Sequence, residues 1–392
     1  MAPNPLRWQV LLAGVCSLIL TVGLARFAYT PLLPIMRSQT WLTEVAGGWL
    51  ATVNYAGYMS GALLAASSGS LPLKFRLYRM GLVLAVASLA LMGLTDNLWL
   101  WVALRYLAGL ASAAGLLIGS GLVLNWMIRQ GHRPELGLHF GGLGLGIVVS
   151  GVAVALMAPW LDWSGQWVGL GVFALAFLLP AWAWLPAPAS GPAAAAAASA
   201  GVAPQRRWML LLIAAYFCAG WGFVISATFT VSIVERVPAL AGYGSLVWVL
   251  VGVAATPACF VWERVSRVTG DVPALLLAFA VQIASILLPA LSDRADLAVL
   301  SAWIYGGSFI GIVSLTLTLI GRCYPANPSK AMARLTLSYG VAQIVAPALT
   351  GFMVEASGSY RSALLLAALV MGLGMGCLWA MRRPGGGTPV TV

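Results

Sequence analysis

Only 8% of the 392 residues are charged while 61% are hydrophobic, against roughly 25% charged in soluble domains, so the surface is made for lipid and a soluble globular protein is excluded. The net charge of +11 would point to nucleic acid in a soluble chain. Here the basic residues lie in short loops between apolar runs, where they set membrane orientation, and no basic face is left for a nucleic-acid partner.

Apolar runs long enough to cross a bilayer, about 20 residues at 1.5 Å rise, fall at 8–36, 45–67, 80–95, 98–128, 135–158 and 165–185, and then at 208–234, 244–262, 272–291, 297–321, 331–355 and 361–381. The first run, Trp8 to Met36, is too long for a signal-peptide core of ~7–15 residues and reads as the first span. Between the sixth and seventh runs lies PAPASGPAAAAAASAGVAPQRR, 186–207, a Pro/Ala/Gly composition expected to form a flexible linker. The predicted fold is therefore an all-α membrane protein of twelve transmembrane helices in two six-helix pseudo-symmetric bundles, 1–185 and 208–392, joined by the linker 186–207.

Basic residues check the span assignment. Arg7, Lys74, Arg76, Arg79, Arg129, Arg133, Arg206, Arg207, Arg264, Arg267, Arg322, Lys330, Arg334, Arg382 and Arg383 fall on one face, and only Arg37, Arg236, Arg294 and Arg361 on the other. That bias places both termini and the linker in the cytoplasm of a bacterial-type inner membrane. The halves echo each other. Ala28-Tyr29-Thr30 aligns with Thr228-Phe229-Thr230 at an offset of 200 residues, and His139-Phe140-Gly141 with Ser338-Tyr339-Gly340 at 199. Parallel repeats of this kind are a transporter architecture with the solute site between the halves.

The layout, together with Arg105-x-x-x-Gly109-x-x-x-Ala113 in span four, the run Gly141-Gly142-Leu143-Gly144-Leu145-Gly146 with Gly151 in span five, and Pro347 with Gly351 in span eleven, resembles the major facilitator superfamily. A sharper likeness is Gly23-Leu24-Ala25-Arg26-Phe27-Ala28-Tyr29-Thr30-Pro31-Leu32-Leu33-Pro34 in span one, with Asn54-Tyr55-Ala56-Gly57-Tyr58 in span two and Ile225-Ser226-Ala227-Thr228-Phe229 in span seven. These segments are similar to the YbfB/YjiJ-type branch of permeases, whose substrates are mostly unassigned. The resemblance implies the major facilitator fold and a central cavity lined by the first and fourth helices. One departure concerns the loop after span two. Gly69-Ser70-Leu71-Pro72-Leu73-Lys74-Phe75-Arg76 lacks the acid of the superfamily pattern, whereas Glu263-Arg264-Val265-Ser266-Arg267 in the second half keeps an acid among bases.

Charge at bilayer depth costs about 2.5–3.5 kcal/mol or more for arginine at a helix centre, and two arginines bear it. Arg26 stands ten residues before Met36, about 15 Å in from one end of its span, and Arg105 seven residues after Leu98, about 10 Å in. Two cations at one level around a wet cavity would make a site for a carboxylate or phosphate. The alternative is structural: either side chain could bond helix carbonyls, such as those released by Pro31 and Pro34. Polar residues at helical spacing complete the candidate substrate-binding set: Tyr29 and Thr30 beside Arg26, Asn54 with Tyr58, Tyr305 with Ser308, Tyr339 with Gln343, and Trp221 as a wall. Each could equally bond a neighbouring helix. Trp248 is a further wall candidate. Gly109, Gly141, Gly144 and Gly151 are expected to allow close helix contact.

No carboxylate lies inside a span. Glu44 and Glu355 come nearest, on the outer side, and His139 is expected to cap a helix or sit in a loop, with titration as the alternative. Cys16, Cys218, Cys259, Cys323 and Cys377 are scattered without a CxxC pair, so no metal, disulfide or cofactor is expected. An enzyme would need an HExxH, a carboxylate pair or a GxSxG element, and the chain has none. A sensor or scaffold would need a soluble output domain. The expectation is a monomeric secondary transporter in the lipid bilayer, moving a small organic anion or amphipathic metabolite. The alternative is proton-driven efflux of hydrophobic or cationic compounds.

Overall fold

The computed structural model describes residues 6–68, 70–132, 136–188, 205–323 and 328–382; most of the 186–207 linker lies outside these. Every regular element in them is helical. Apart from one 3-10 turn, Pro238–Leu240, they are in chain order α1 (Arg7–Gln39), α2 (Glu44–Ser67), α3 (Leu71–Met92), α4 (Leu98–Arg129), α5 (Gly137–Met157), α6 (Trp163–Ala183), α7 (Arg206–Val234), α8 (Gly244–Ala255 continuing through a bend as Ala258–Thr269), α9 (Asp271–Leu291), α10 (Ala295–Cys323), α11 (Pro328–Ser357) and α12 (Arg361–Ala380). Among the described residues ten helices are long and apolar enough to cross a membrane, eleven with bent α8 taken as one span. The remaining helix, α2, carries Asn54, Tyr55, Tyr58 and four glycines over 24 residues. It tolerates them because α4 and α11 cover its flanks.

Capping fixes several ends. Thr43 accepts from the Ala46 amide at the start of α2, Asn97 from Trp99 and Leu100 at the start of α4, and Asp162 from Gly165 at the start of α6. Helix α3 begins at Leu71, nine residues earlier than the apolar run suggests. Ser70 caps it and Pro72 occupies its first turn, so Lys74, Arg76 and Arg79 ride on a helix rather than a loop. The 42° bend in α8 falls at Thr256-Pro257, where proline supplies no amide to continue the ladder.

Glycine sets the spacing of three crossings. A Cβ on Gly48 of α2 would lie 2.5 Å from the Pro347 carbonyl oxygen of α11, and one on Gly144 of α5 would lie 2.5 Å from the Thr256 amide of α8. Gly109 of α4 is pressed in the same way onto the Asn54 carbonyl of α2, and Gly151 of α5 onto Ser245 and Val249 of α8. Gly141 differs from the expectation: nothing lies within 4 Å of where its Cβ would be, so it is not a contact glycine here. Outward faces bear Leu156, Trp160, Val172, Leu179, Leu369 and Leu373, all exposed, as suits contact with hydrocarbon.

Candidate functional site

A cavity of about 570 Å³ lies among α1, α2, α4 and α5 on one side and α7, α8, α10 and α11 on the other, within the range of small-molecule sites. Its deep end is made by Arg26, Phe27 and Tyr58 facing Tyr216, Phe223, Phe309, Tyr339 and Gln343. It runs to Leu136, Gly137, Glu263, Ser266 and Arg322, at the end of the molecule where α4 and α10 finish and α1 begins.

Arg26 decides the chemistry. It closes a stretch of π-helical turns, Ile19–Phe27, a local widening frequent at functional sites. The side chain is 6% exposed, and its guanidinium makes no hydrogen bond or ion pair with any described residue; Nε is buried without a partner. Its company is aromatic, with the guanidinium carbon 4.4 Å from the Tyr55 ring centroid and 4.6 Å from that of Tyr58. Such faces hold a cation in place while its donors stay unused. A buried cation without a counter-ion costs several kcal/mol, and a planar carboxylate or phosphate oxygen pair satisfies this fork.

Arg105 is placed differently. It is 2% exposed, donates from Nη1 to the Ala25 carbonyl at 3.1 Å and lies 4.3 Å from the Tyr29 ring centroid. It is not among the cavity's lining residues. The acceptor is Ala25 rather than a carbonyl released by Pro31 or Pro34, and the arginine ties α4 to α1. The two guanidiniums therefore do not share the cavity.

The remaining candidates divide in the same way. Tyr58, Tyr339 and Gln343 line the cavity with Arg26. Tyr29 donates to the Gly47 carbonyl at 2.9 Å and Asn54 to the Arg105 carbonyl at 2.8 Å. Tyr305 donates to the Phe223 carbonyl at 3.1 Å, and Ser308 to that of Tyr305 at 3.1 Å. Trp221 is buried beside Phe217. None of these five is a lining residue; their polar groups serve helix packing, Trp221 excepted, whose indole nitrogen has no partner. Trp248 sits behind the wall, edge-on to Phe27 at 6.1 Å. Thr30 donates to the Ala227 carbonyl at 2.5 Å, so α1 and α7 meet directly.

Sequence reasoning missed Tyr55, Tyr216, Phe223, Phe309 and Ser120. Tyr55 and Tyr58 stand three apart on α2, and Tyr216 and Phe223 seven apart on α7, so helical periodicity carried the signal for both pairs. His139 is fully buried in α5 rather than capping it. One ring nitrogen meets the Ser120 hydroxyl at 2.7 Å while the other has no partner, which puts a titratable ring one residue behind the cavity wall.

The end of the molecule opposite the cavity mouth is sealed. Glu44 Oε1 meets Arg37 at 2.7 Å and Arg236 at 2.6 Å, and the Tyr360 hydroxyl donates to Glu44 Oε2 at 2.8 Å. Burial and the neighbouring carboxylate raise the Tyr360 pKa, so it stays a proton donor. Arg236 also donates to the Gly358 carbonyl at 2.6 Å, the Val45 amide to Glu355 at 3.4 Å, and Thr52 to the Ile344 carbonyl at 2.8 Å. The cavity thus opens at one end of the molecule, and side-chain bonds close the other.

The sequence family described as "uncharacterised MFS-type transporter YbfB" matches residues 18–378. The chain belongs to this family of the major facilitator superfamily. It is thus a multi-pass membrane transporter acting on a small molecule. No curated protein matches the chain. Among solved structures, the nucleoside transporter NupG superposes with a TM-score of 0.72 at 13% identity, covering 96% of this chain and 99% of that one. A bacterial homolog of the human lysosomal transporter Spinster, in an inward-facing and occupied conformation, gives 0.70 at 14% identity, covering 98% of both chains. At such identity these likenesses speak for the fold alone.

Proposed function

We propose that the protein is a secondary active transporter for a small organic anion or amphipathic anionic metabolite, working by alternating access between two six-helix halves, 1–185 and 208–392. Helix α2 and bent α8 complete twelve spans in this reading. The linker 186–207 and both termini are cytoplasmic in a bacterial-type inner membrane, the protein acts as a monomer, and the conformation is inward-facing. The observation that carries the reading is Arg26: a buried guanidinium at the deep end of the cavity, with no acid beside it among the described residues. Candidate contacts in the same cavity are Tyr58, Tyr339 and Gln343. Arg105, Tyr29, Thr30, Asn54, Tyr305, Ser308 and Trp221 support the walls in this conformation.

The alternative, proton-driven export of cations, needs an acid in the cavity for such ligands. Among the described residues, Glu263 is the one acid lining the cavity, and it is paired with Arg267 at 2.6 Å. The anion reading is favoured accordingly. Uptake of radiolabelled organic anions and of drug-like cations into proteoliposomes tests it. Saturable anion uptake that Arg26→Gln abolishes, with the variant folding normally, is the expected result; cation transport indifferent to Arg26 would overturn it.

A further inference from the structure

We infer that the preferred solute is an aromatic monocarboxylate, its carboxylate on Arg26 and its ring against the aromatic wall of α7, α10 and α11; this rests on the anion reading above.

The single charge follows from the inventory of the cavity. Among the described residues, the charged side chains that line it are Arg26, Glu263 and Arg322. Glu263 is satisfied by Arg267, and Arg322 by Asp271 at 2.8 Å, both near the mouth. That leaves one unpaired cation at depth. A monoanion neutralises it, whereas a dianion would carry a second charge into a wall of Leu, Val, Phe and Ile, where desolvation opposes it.

The ring follows from what faces Arg26. Tyr216 and Tyr339 are tilted together with centroids 4.5 Å apart, Phe223 lies 5.7 Å from Tyr339, and Phe309 lies 5.3 Å from Phe223. These four rings all line the cavity and belong to the second half, while Arg26 belongs to the first. An arylalkanoate reaching from guanidinium to ring wall would touch both halves at once, and such a ligand biases the equilibrium between carrier states. Gln343 stands one turn from Tyr339 on α11. It is 3% exposed with its amide oxygen unpartnered, so an amide end is free for a polar ring substituent, whichever way the amide is turned.

The test uses the full chain in lipid nanodiscs and calorimetric titration with phenylacetate, cyclohexylacetate, phenylacetamide and 4-carboxyphenylacetate. Phenylacetate is expected to bind tightest. Cyclohexylacetate should be about fivefold weaker for loss of ring–ring contact. The neutral amide and the dianion should each be about tenfold weaker for a lost or surplus charge. Phe309→Leu should erase the ring preference and keep the preference for carboxylate over amide; Arg26→Gln should do the reverse. Equal binding of phenylacetate and cyclohexylacetate overturns the aromatic assignment and leaves the anion reading standing. A dianion that binds as tightly as phenylacetate overturns the single-charge assignment alone. Phenylacetamide as tight as phenylacetate, or no heat from any carboxylate with well-folded protein, overturns both. The unmodified chain alone decides these outcomes, so misfolding of a variant does not rescue the proposal.

Discussion

Glu44 on α2 and Arg236, just beyond the end of α7, meet at 2.6 Å and tie α2 to the segment after α7 at the end away from the cavity. Arg37 and Tyr360 complete the cluster around the same carboxylate. Under the alternating access proposed above, opening that end has to pull Arg236 and Tyr360 away from Glu44.

Glu44→Gln keeps the shape and removes the charge. Arg236 is 39% exposed at its side chain, so the ionic part is discounted for screening to about 1–2 kcal/mol. That corresponds to about a tenfold rise in the fraction open at this end. With the native cysteines replaced, a cysteine at Ala227, beneath the Thr30 contact, should react with an impermeant maleimide about tenfold faster in the Glu44→Gln background. An unchanged rate would mean the cluster does not hold this end shut.

Arg105→Ala should act through stability, not solute selection. It strips the Ala25 carbonyl of a partner and Tyr29 of a stacked cation, a loss of about 1–3 kcal/mol. Lysine in its place keeps the charge without the planar fork and should recover only part of the loss. Thermal unfolding in detergent measures the loss. The ratio of phenylacetate to phenylacetamide affinity should stay at the parent value in any Arg105 variant that folds.

Two glycines of one helix should part company. Gly141→Ala points into open space and should be neutral or stabilising by up to about 1 kcal/mol, since alanine is the better helix former. Gly144→Ala drives a methyl into the backbone at Thr256 and should lower the melting temperature and slow transport. Equal behaviour of the two variants would contradict the α5–α8 crossing described above.

Ser120→Ala should cost about 1–3 kcal/mol, because it leaves both nitrogens of buried His139 without a partner. The double variant with His139→Phe should recover part of that loss, the polar ring having gone with its partner. A double variant no more stable than Ser120→Ala alone would show that the pair is not coupled.

Helix placement was largely legible because long apolar runs separated by basic loops leave few alternatives, and the arginine at position 26 stood out because lipid depth penalises charge. Three features were not. The early start of α3 was hidden because Lys74, Arg76 and Arg79 read as a loop when only hydropathy is followed; the Ser70-Leu71-Pro72 cap was the overlooked sign. The bend in α8 lay in Pro257, inside an otherwise continuous apolar run. The separate fates of Arg26 and Arg105 could not be derived from depth, since both stand at one level. What separates them is azimuth: Arg105 turns toward Ala25 and Tyr29, and Arg26 toward the cavity, where the π-helical turns before it alter the angular register that simple helical counting assumes.

Among the described residues Arg26 has no counter-ion, which under the proposed alternating access bears on how the carrier returns. If the halves close over an unoccupied cavity, the guanidinium is stranded among rings with neither water nor acid, at a cost of several kcal/mol; with a carboxylate aboard, that obstacle disappears. The expected behaviour is antiport, in which an anion on the far side must load before the protein resets. Preloading vesicles with unlabelled solute should then accelerate uptake of the labelled one, and equal rates into empty and preloaded vesicles would rule this out.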